Sequence, residues 1–167
     1  MGDALHELGA LYDEHAPRIY RYLYHRLGDK NLAEDLTGEV FVRFLHARPA
    51  AASPTAYLYR IAHNLVANWH RDHSRRKVVP LEDVNLSPPP REGPQHLAEQ
   101  KEEENELLAA VRRLPADRQQ LLILKFVEEM SNTQIGLVMG RSEGAIKSLY
   151  HRTLLSLREM LEAADAP

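Results

Sequence analysis

Between Leu81 and Pro94 the chain carries Pro88-Pro89-Pro90, Gly93 and Pro94. Proline fixes its own φ and has no N–H to donate, so such a run continues neither a helix nor a central strand. It reads as an extended tether over residues 80–94, with one folded piece on each side, 1–79 and 95–167. A chain of 167 residues suits one ordinary domain or two small ones. Charge supports the division. The net charge of −3 argues at first against a nucleic-acid partner, but it splits into about +2 over 1–79, −6 over 80–106 and +1 over 107–167. The negative excess lies in and just after the tether, leaving two mildly basic lobes. There is no cysteine, which excludes a disulfide framework and any thiolate metal site or nucleophile. No stretch approaches the roughly 18 apolar residues of a membrane span. The N-terminus lacks the basic-then-apolar pattern of a signal peptide, so a cytoplasmic protein without membrane insertion is expected.

Apolar residues recur at helical spacing almost everywhere and no useful run alternates with period two, so the expected fold is all-α. Leu8, Leu11, Tyr12, Ile19, Tyr22, Leu23 and Leu27 form one stripe, which Pro17 should kink or split and Gly28 should end. A second helix is expected from a cap at Asn31 to about His46. It carries Leu36, Val40 and Phe44 in one row and Asp35, Glu39 and Arg43 in the row beside it. Ala47–Thr55 reads as a loop. Ser53-Pro54 then pairs a capping hydroxyl with proline at the first helical position. The third helix is expected to bury Leu58, Ile61, Ala62, Leu65 and Trp69. Its other face presents Arg60, His63, Asn64, Ala67 and Arg71, before Ser74-Arg75-Arg76-Lys77. Past the tether, Gln95–Leu114 is acidic and then amphipathic through Leu107, Leu108, Val111 and Leu114. Pro115 opens a helix with Leu121, Leu122, Leu124 and Phe126.

Ser131-Asn132-Thr133-Gln134 fits a capping box. The short helix it opens stops at Gly140, and Ser142 caps a longer one that continues to about Met160. Short helix, tight turn and capped longer helix make a helix-turn-helix. Ile135, Val138, Ile146 and Leu149 would fill its wedge, and Thr153 and Leu157 would extend the buried row. Gly144, Lys147, Ser148, His151 and Arg152 would be exposed. In this motif the second helix enters the major groove. There Lys147 and Arg152 suit phosphates or guanine acceptors, Ser148 suits either base edge, and Gly144 lets a phosphate approach the helix start.

Taken together these stretches resemble the extracytoplasmic-function (ECF) group of bacterial RNA polymerase sigma factors. The residues that carry the resemblance are Arg18–Tyr24 with Leu27-Gly28-Asp29, Ala33–Phe41, Tyr57–Leu65, Leu114-Pro115 with Arg118, and Gly140–Arg152. The resemblance implies two helical domains that bind core RNA polymerase, through the clamp of its β′ subunit and the flap of its β subunit, and that read promoter DNA. The N-terminal domain would melt and read the −10 element, and the C-terminal domain would read the −35 element. By position, Asp35, Leu36, Glu39, Val40 and Arg43 fall on the polymerase-docking helix. Arg60, His63, Asn64, Asn68, Arg71, Arg75 and Arg76 fall on the −10 face, and the Ala47–Thr55 loop corresponds to the pocket for a flipped base. Arg141, Ser142, Glu143, Gly144, Lys147, Ser148, His151 and Arg152 fall on the −35 face. An anti-sigma factor is the family's usual partner; no cofactor or metal is implied.

Residues 78–94 reach about 55–60 Å when extended, at ~3.3–3.6 Å per residue. DNA elements one and a half to two turns apart lie roughly 50–70 Å apart. The tether therefore suffices once the domains add their width, and its acids Glu82, Asp83 and Glu92 suit a mimic of nucleic acid in the polymerase. Two departures from the family pattern stand out. Asn68 takes a place often acidic. Gly136 replaces the usual alanine, which costs roughly 1 kcal/mol of helix propensity and should loosen the C-terminal lobe. A stand-alone helix-turn-helix regulator would explain Lys147–Arg152 but not the Asp35-Glu39-Arg43 row. A metal enzyme would have to use His70 and His73, which lack a metalloprotease spacing and sit among Arg71, Arg75 and Arg76.

Overall fold

The computed structural model describes residues 2–47, 53–75 and 95–165. The tether 80–94, Arg76 and positions 48–52 of the expected loop lie outside them. Among the described residues there are seven helices and no strand, as the periodicity requires.

The first helix, α1 (Gly2–Leu27), runs through Pro17 without being split. Proline removes one N–H from the ladder, but packing spans the gap. Tyr12 meets Phe41 edge-on at 4.8 Å on one side of it, and Ile19, Tyr22 and Leu23 are fully buried on the other. Gly28 ends α1 with φ 75°. The cap of α2 (Lys30–Ala47) is Asp29 rather than the expected Asn31: its carboxylate accepts the N–H of Asn31 at 2.9 Å and of Leu32 at 3.1 Å. α3 (Pro54–Arg75) starts as expected, with Ser53 Oγ accepting the Ala56 N–H at 3.2 Å.

α4 (Gln95–Arg113) passes through Leu114-Pro115 into α5 (Ala116–Phe126), where Leu121 to Leu124 are all buried. α5 unwinds through Val127 and Glu128, whose N–H groups share the Ile123 carbonyl at 2.9 and 3.0 Å. Glu129 then adopts φ 54°, a left-handed conformation that strains a non-glycine residue by roughly 1–2 kcal/mol. This turns Met130 back into the core and delivers the chain to α6 (Asn132–Met139) and α7 (Glu143–Asp165).

Buried apolar side chains form one cluster that runs from Ile19, Tyr22 and Leu58 to Leu121, Ile135 and Ile146. α1–α3 and α4–α7 are thus packed together, α1 on α5 and α3 on α6. α3 is covered from two sides, which widens its buried stripe beyond the expected row to include Tyr59 and Val66, both fully buried. Two expectations are corrected by the packing. Val40 is fully buried beneath the charged row of α2, so it supports that face instead of offering itself to a partner. Trp69 is only half-buried; it stacks on His73 at 4.0 Å instead of entering the core. Phe126 lies beyond the buried run of α5 and is 59% exposed.

Asp29→Ala is expected to lower stability by about 1 kcal/mol through loss of the α2 cap. Asn31→Ala should change it by less than about 0.5 kcal/mol. Urea unfolding of both variants checks the assignment.

Candidate nucleic-acid interface

The turn between α6 and α7 is fixed by hydrogen bonds within a few residues of it. Ser131 Oγ accepts the Gln134 N–H at 3.2 Å and Gln134 Oε1 accepts the Ser131 N–H at 2.9 Å, the reciprocal capping box expected from the sequence. Gly140 takes φ 66° and stops α6, and Ser142 Oγ accepts the Ala145 N–H at 3.1 Å to start α7. Gly136 has a role that its helix propensity conceals. It is buried, its carbonyl accepts the Arg141 N–H at 3.0 Å, and a Cβ there would stand 2.6 Å from the Arg141 carbonyl oxygen. The missing methyl lets the turn close, so glycine tightens this unit where the sequence suggested it would loosen it.

Ile135, Val138, Ile146 and Leu149 fill the wedge and are buried, as is Thr153, whose hydroxyl donates to the Leu149 carbonyl at 2.6 Å. Gly144, Lys147, Ser148, His151 and Arg152 all face solvent along α7, with Ser142 and Glu143 at its start. Arg141 is also exposed, and is held by Asp117 at 3.2 Å. The expected recognition row is thus a continuous open surface on a well-packed support.

The polar face of α3 is differently placed. Asn64, Asn68 and Arg71 are exposed. Arg60 donates through Nε to the Val138 carbonyl at 3.0 Å and through Nη2 to the Leu137 carbonyl. His63 is half-buried, with Nδ1 3.0 Å from Arg26 Nη1. Burial and then the Arg26 cation lower its pKa to about 4, with Asp117 opposing weakly. The ring therefore stays neutral and accepts from Arg26. Arg60, His63 and Asn64 line a crevice closed on its far side by Gln120, Met139, Gly140 and Arg141. The side chain of Arg75 and all of Arg76 lie outside the described residues.

On α2, Asp35 and Arg43 are exposed, Leu36 and Glu39 are half-buried, and Arg43 pairs with Glu39 at 3.0 Å. No helix among the described residues is long and apolar enough to cross a membrane. No group of three or more His, Asp or Glu among them could hold a metal ion.

Comparison with known proteins covers both halves of the chain. Residues 11–76 match sigma-70 region 2 and residues 104–157 match sigma-70 region 4. The ECF RNA polymerase sigma factor BldN of Streptomyces coelicolor is 34% identical over 92% of this chain and 60% of its own length. SigX of Bacillus subtilis, another ECF sigma factor, is 29% identical over 91% of this chain and 82% of its own. The chain belongs to the ECF group of sigma-70 factors. It spans about three-fifths of the length of BldN. Its fold is also that of the sigma factor RpoE of Bartonella quintana, crystallised with the anti-sigma factor NepR, at TM-score 0.66 and 19% identity over 93% of this chain and 97% of that one.

Sequence reasoning missed one cluster in this sigma factor altogether. Glu128 is buried and receives Arg21 Nε at 3.1 Å, Arg21 Nη2 at 2.8 Å and the Tyr59 hydroxyl at 2.8 Å, with Arg18 Nε at 3.7 Å. Burial and the adjoining carboxylate push the Tyr59 pKa well up, so its hydroxyl stays a donor. Arg26, also buried, donates to Gln119 at 2.9 Å and to the Tyr22 hydroxyl at 2.6 Å. The one sequence hint was four consecutive apolar residues in α5, Leu121 to Leu124, all buried, four residues before Glu128.

Gly136→Ala should destabilise the protein by about 1–3 kcal/mol in urea unfolding, the methyl's clash outweighing its better helix propensity. His63 binds its proton more weakly in the folded state, so its contribution to stability is complete above the ordinary pKa of 6.5 and is lost as pH falls toward about 4. His63→Gln should flatten the loss of stability over that interval, read by urea unfolding at stepped pH.

Proposed function

We propose that this chain is a promoter-specificity subunit: a non-enzymatic sigma factor that acts in the cytoplasm, binds core RNA polymerase and directs initiation. The observation that carries the reading is the open row Gly144, Lys147, Ser148, His151 and Arg152 on a wedge-packed helix-turn-helix, in a chain whose other half matches region 2. The functional division is 1–79 for polymerase and the −10 element, 80–94 for the tether and 95–167 for the −35 element. Helix α7 enters the major groove, with Lys147 and Arg152 on phosphate or guanine and Ser148 and Glu143 on base edges. Arg141 and His151 flank that row, and Ser142 and Gly144 leave backbone N–H groups at the helix start for phosphate.

Asp35, Glu39 and Arg43 form the polar part of the surface for the β′ clamp, with Leu36 half-buried among them and Val40 beneath. The flap of the β subunit takes the C-terminal part. Arg60, His63, Asn64, Asn68, Arg71, Arg75 and Arg76 serve the −10 element, where melted bases need hydrogen-bonding partners and the strand needs cations. The solved relative bound to NepR supports an anti-sigma partner for this chain as well.

Run-off transcription with purified core polymerase over a genomic promoter library tests this directly: the chain should initiate at a restricted set of promoters sharing two elements. Lys147→Ala should weaken the polymerase–promoter complex about fivefold and reduce its salt slope by about 1. Asp35→Ala with Glu39→Ala should lower affinity for core polymerase instead. Tight promoter binding by the chain alone, with no initiation, would overturn the proposal.

A further inference from the structure

Between α3, the start of α5 and the turn from α6 to α7 lies a crevice of about 350 Å³. Small-molecule sites fall at roughly 300–1,000 Å³, so the space suits a compact ligand. Arg60 reaches it from α3 and Arg141 from the turn, and Asn64 adds an exposed amide. A guanidinium carries several N–H donors in a fixed fork. Arg60 spends two of them, on the Val138 and Leu137 carbonyls, and Arg141 spends one on Asp117. Both keep donors to spare. His63 adds one more, and its tautomer follows from its neighbour. An arginine only donates, so Arg26 Nη1 at 3.0 Å makes His63 Nδ1 the bare acceptor and puts the ring proton on Nε2. Arg26 also places a buried cation directly behind the ring. Against these three cations stands one lining carboxylate, Asp117. Met139, half-buried, supplies an apolar wall, and Gly140 beside it has no side chain to fill the space.

We propose that this crevice is a binding site for a small phosphate monoester of mononucleotide size. Its phosphate lies between Arg60 and Arg141, and its ring lies against Met139, with His63 Nε2 and Asn64 donating to ring acceptors. The chemistry is that of a phosphate. A guanidinium fork offers parallel N–H bonds to two of its oxygens, and the surplus of cations favours an anion over a neutral ligand. A bare phosphate would leave His63, Asn64 and the Met139 wall without a partner, which favours an ester carrying a heterocycle. Asp117 sets the affinity. It occupies Arg141 at 3.2 Å and stands as a like charge beside the bound phosphate, so it weakens the site without abolishing it. The inference goes beyond the proposed function and stands without it, since occupancy is read on the free chain. Where the two meet, they compete. Arg60, His63 and Asn64 are the residues that the proposed function offers to melted bases, and a bound nucleotide takes them up.

Calorimetric titration of the full chain with the common nucleoside 5′-monophosphates tests the site. At least one should bind with a Kd below about 1 mM, and inorganic phosphate and the matching nucleoside should each bind about tenfold more weakly. Asp117→Asn removes the competing charge, keeps an oxygen that can accept the Arg118 N–H, and should tighten binding by about threefold to tenfold. Misfolding cannot produce that gain. Met139→Trp fills the crevice with a larger side chain and should remove binding, with helical circular dichroism retained. The phosphate could also come from a DNA strand, so a short single-stranded oligonucleotide forms the last arm. Oligonucleotide binding with no response to any mononucleotide overturns the free-ligand site. So does the absence of mononucleotide binding up to about 10 mM. Binding that Asp117→Asn and Met139→Trp both leave unchanged overturns it as well.

Discussion

A carboxylate with no surface toward water has to find its hydrogen-bond donors inside the protein, because an unpaired buried charge costs several kcal/mol. Glu128 finds its donors on Arg21 and Tyr59, with Arg18 close by, and all three belong to α1 and α3. Much of the C-terminal geometry follows from keeping it there. α5 has to unwind at its end so that Glu128 turns inward, and Glu129 takes a left-handed φ of 54° to make the turn. Met130 then falls into the core and Ser131 is placed to cap α6. The orientation of the helix-turn-helix is thus referred, through four consecutive residues, to an ion cluster formed with the other half of the chain.

The helix-turn-helix itself depends on little beyond its own sequence. Its capping box, its left-handed Gly140, its Ser142 cap and the close approach at Gly136 all act over about five residues. Its apolar wedge completes the support. This self-sufficiency suits a unit that keeps its shape while its surroundings change. The α3 face is the opposite case: Arg60 and His63 take their present positions from α6 and from Arg26.

That difference decides what could be read from the sequence. Ser53-Pro54, Gly28, the capping box, Gly140, Ser142 and the wedge residues were legible because each is a local rule between neighbours, and the α7 row followed from them. Asp29 was overlooked as a cap because Asn31 offered the same chemistry two positions later, and only the glycine turn before it favours the aspartate. Tyr59 and Val66 were missed because a 3.6-residue period reports one buried face, and α3 is covered from two sides. Glu128 was invisible for a deeper reason: its partners lie 69 and 107 residues away, and an acidic residue after an apolar run looks like the end of any surface helix. The net charge counted Glu128 as one of the acids of its lobe. In the fold it neutralises cations of the opposite lobe.

The buried ion cluster shared by the two halves bears on how sigma factors of this group can be recombined. Joining residues 1–79 of this chain to the C-terminal half of another factor would bring the donors Arg21 and Tyr59 without any guarantee of a matching acid. The reciprocal hybrid would keep Glu128 and strand it. Such chimaeras could hold an intact helix-turn-helix and an intact α2 face and still differ from their parents in how firmly their halves pack. Modularity in this chain stops at a single carboxylate, and the two halves have to be inherited together.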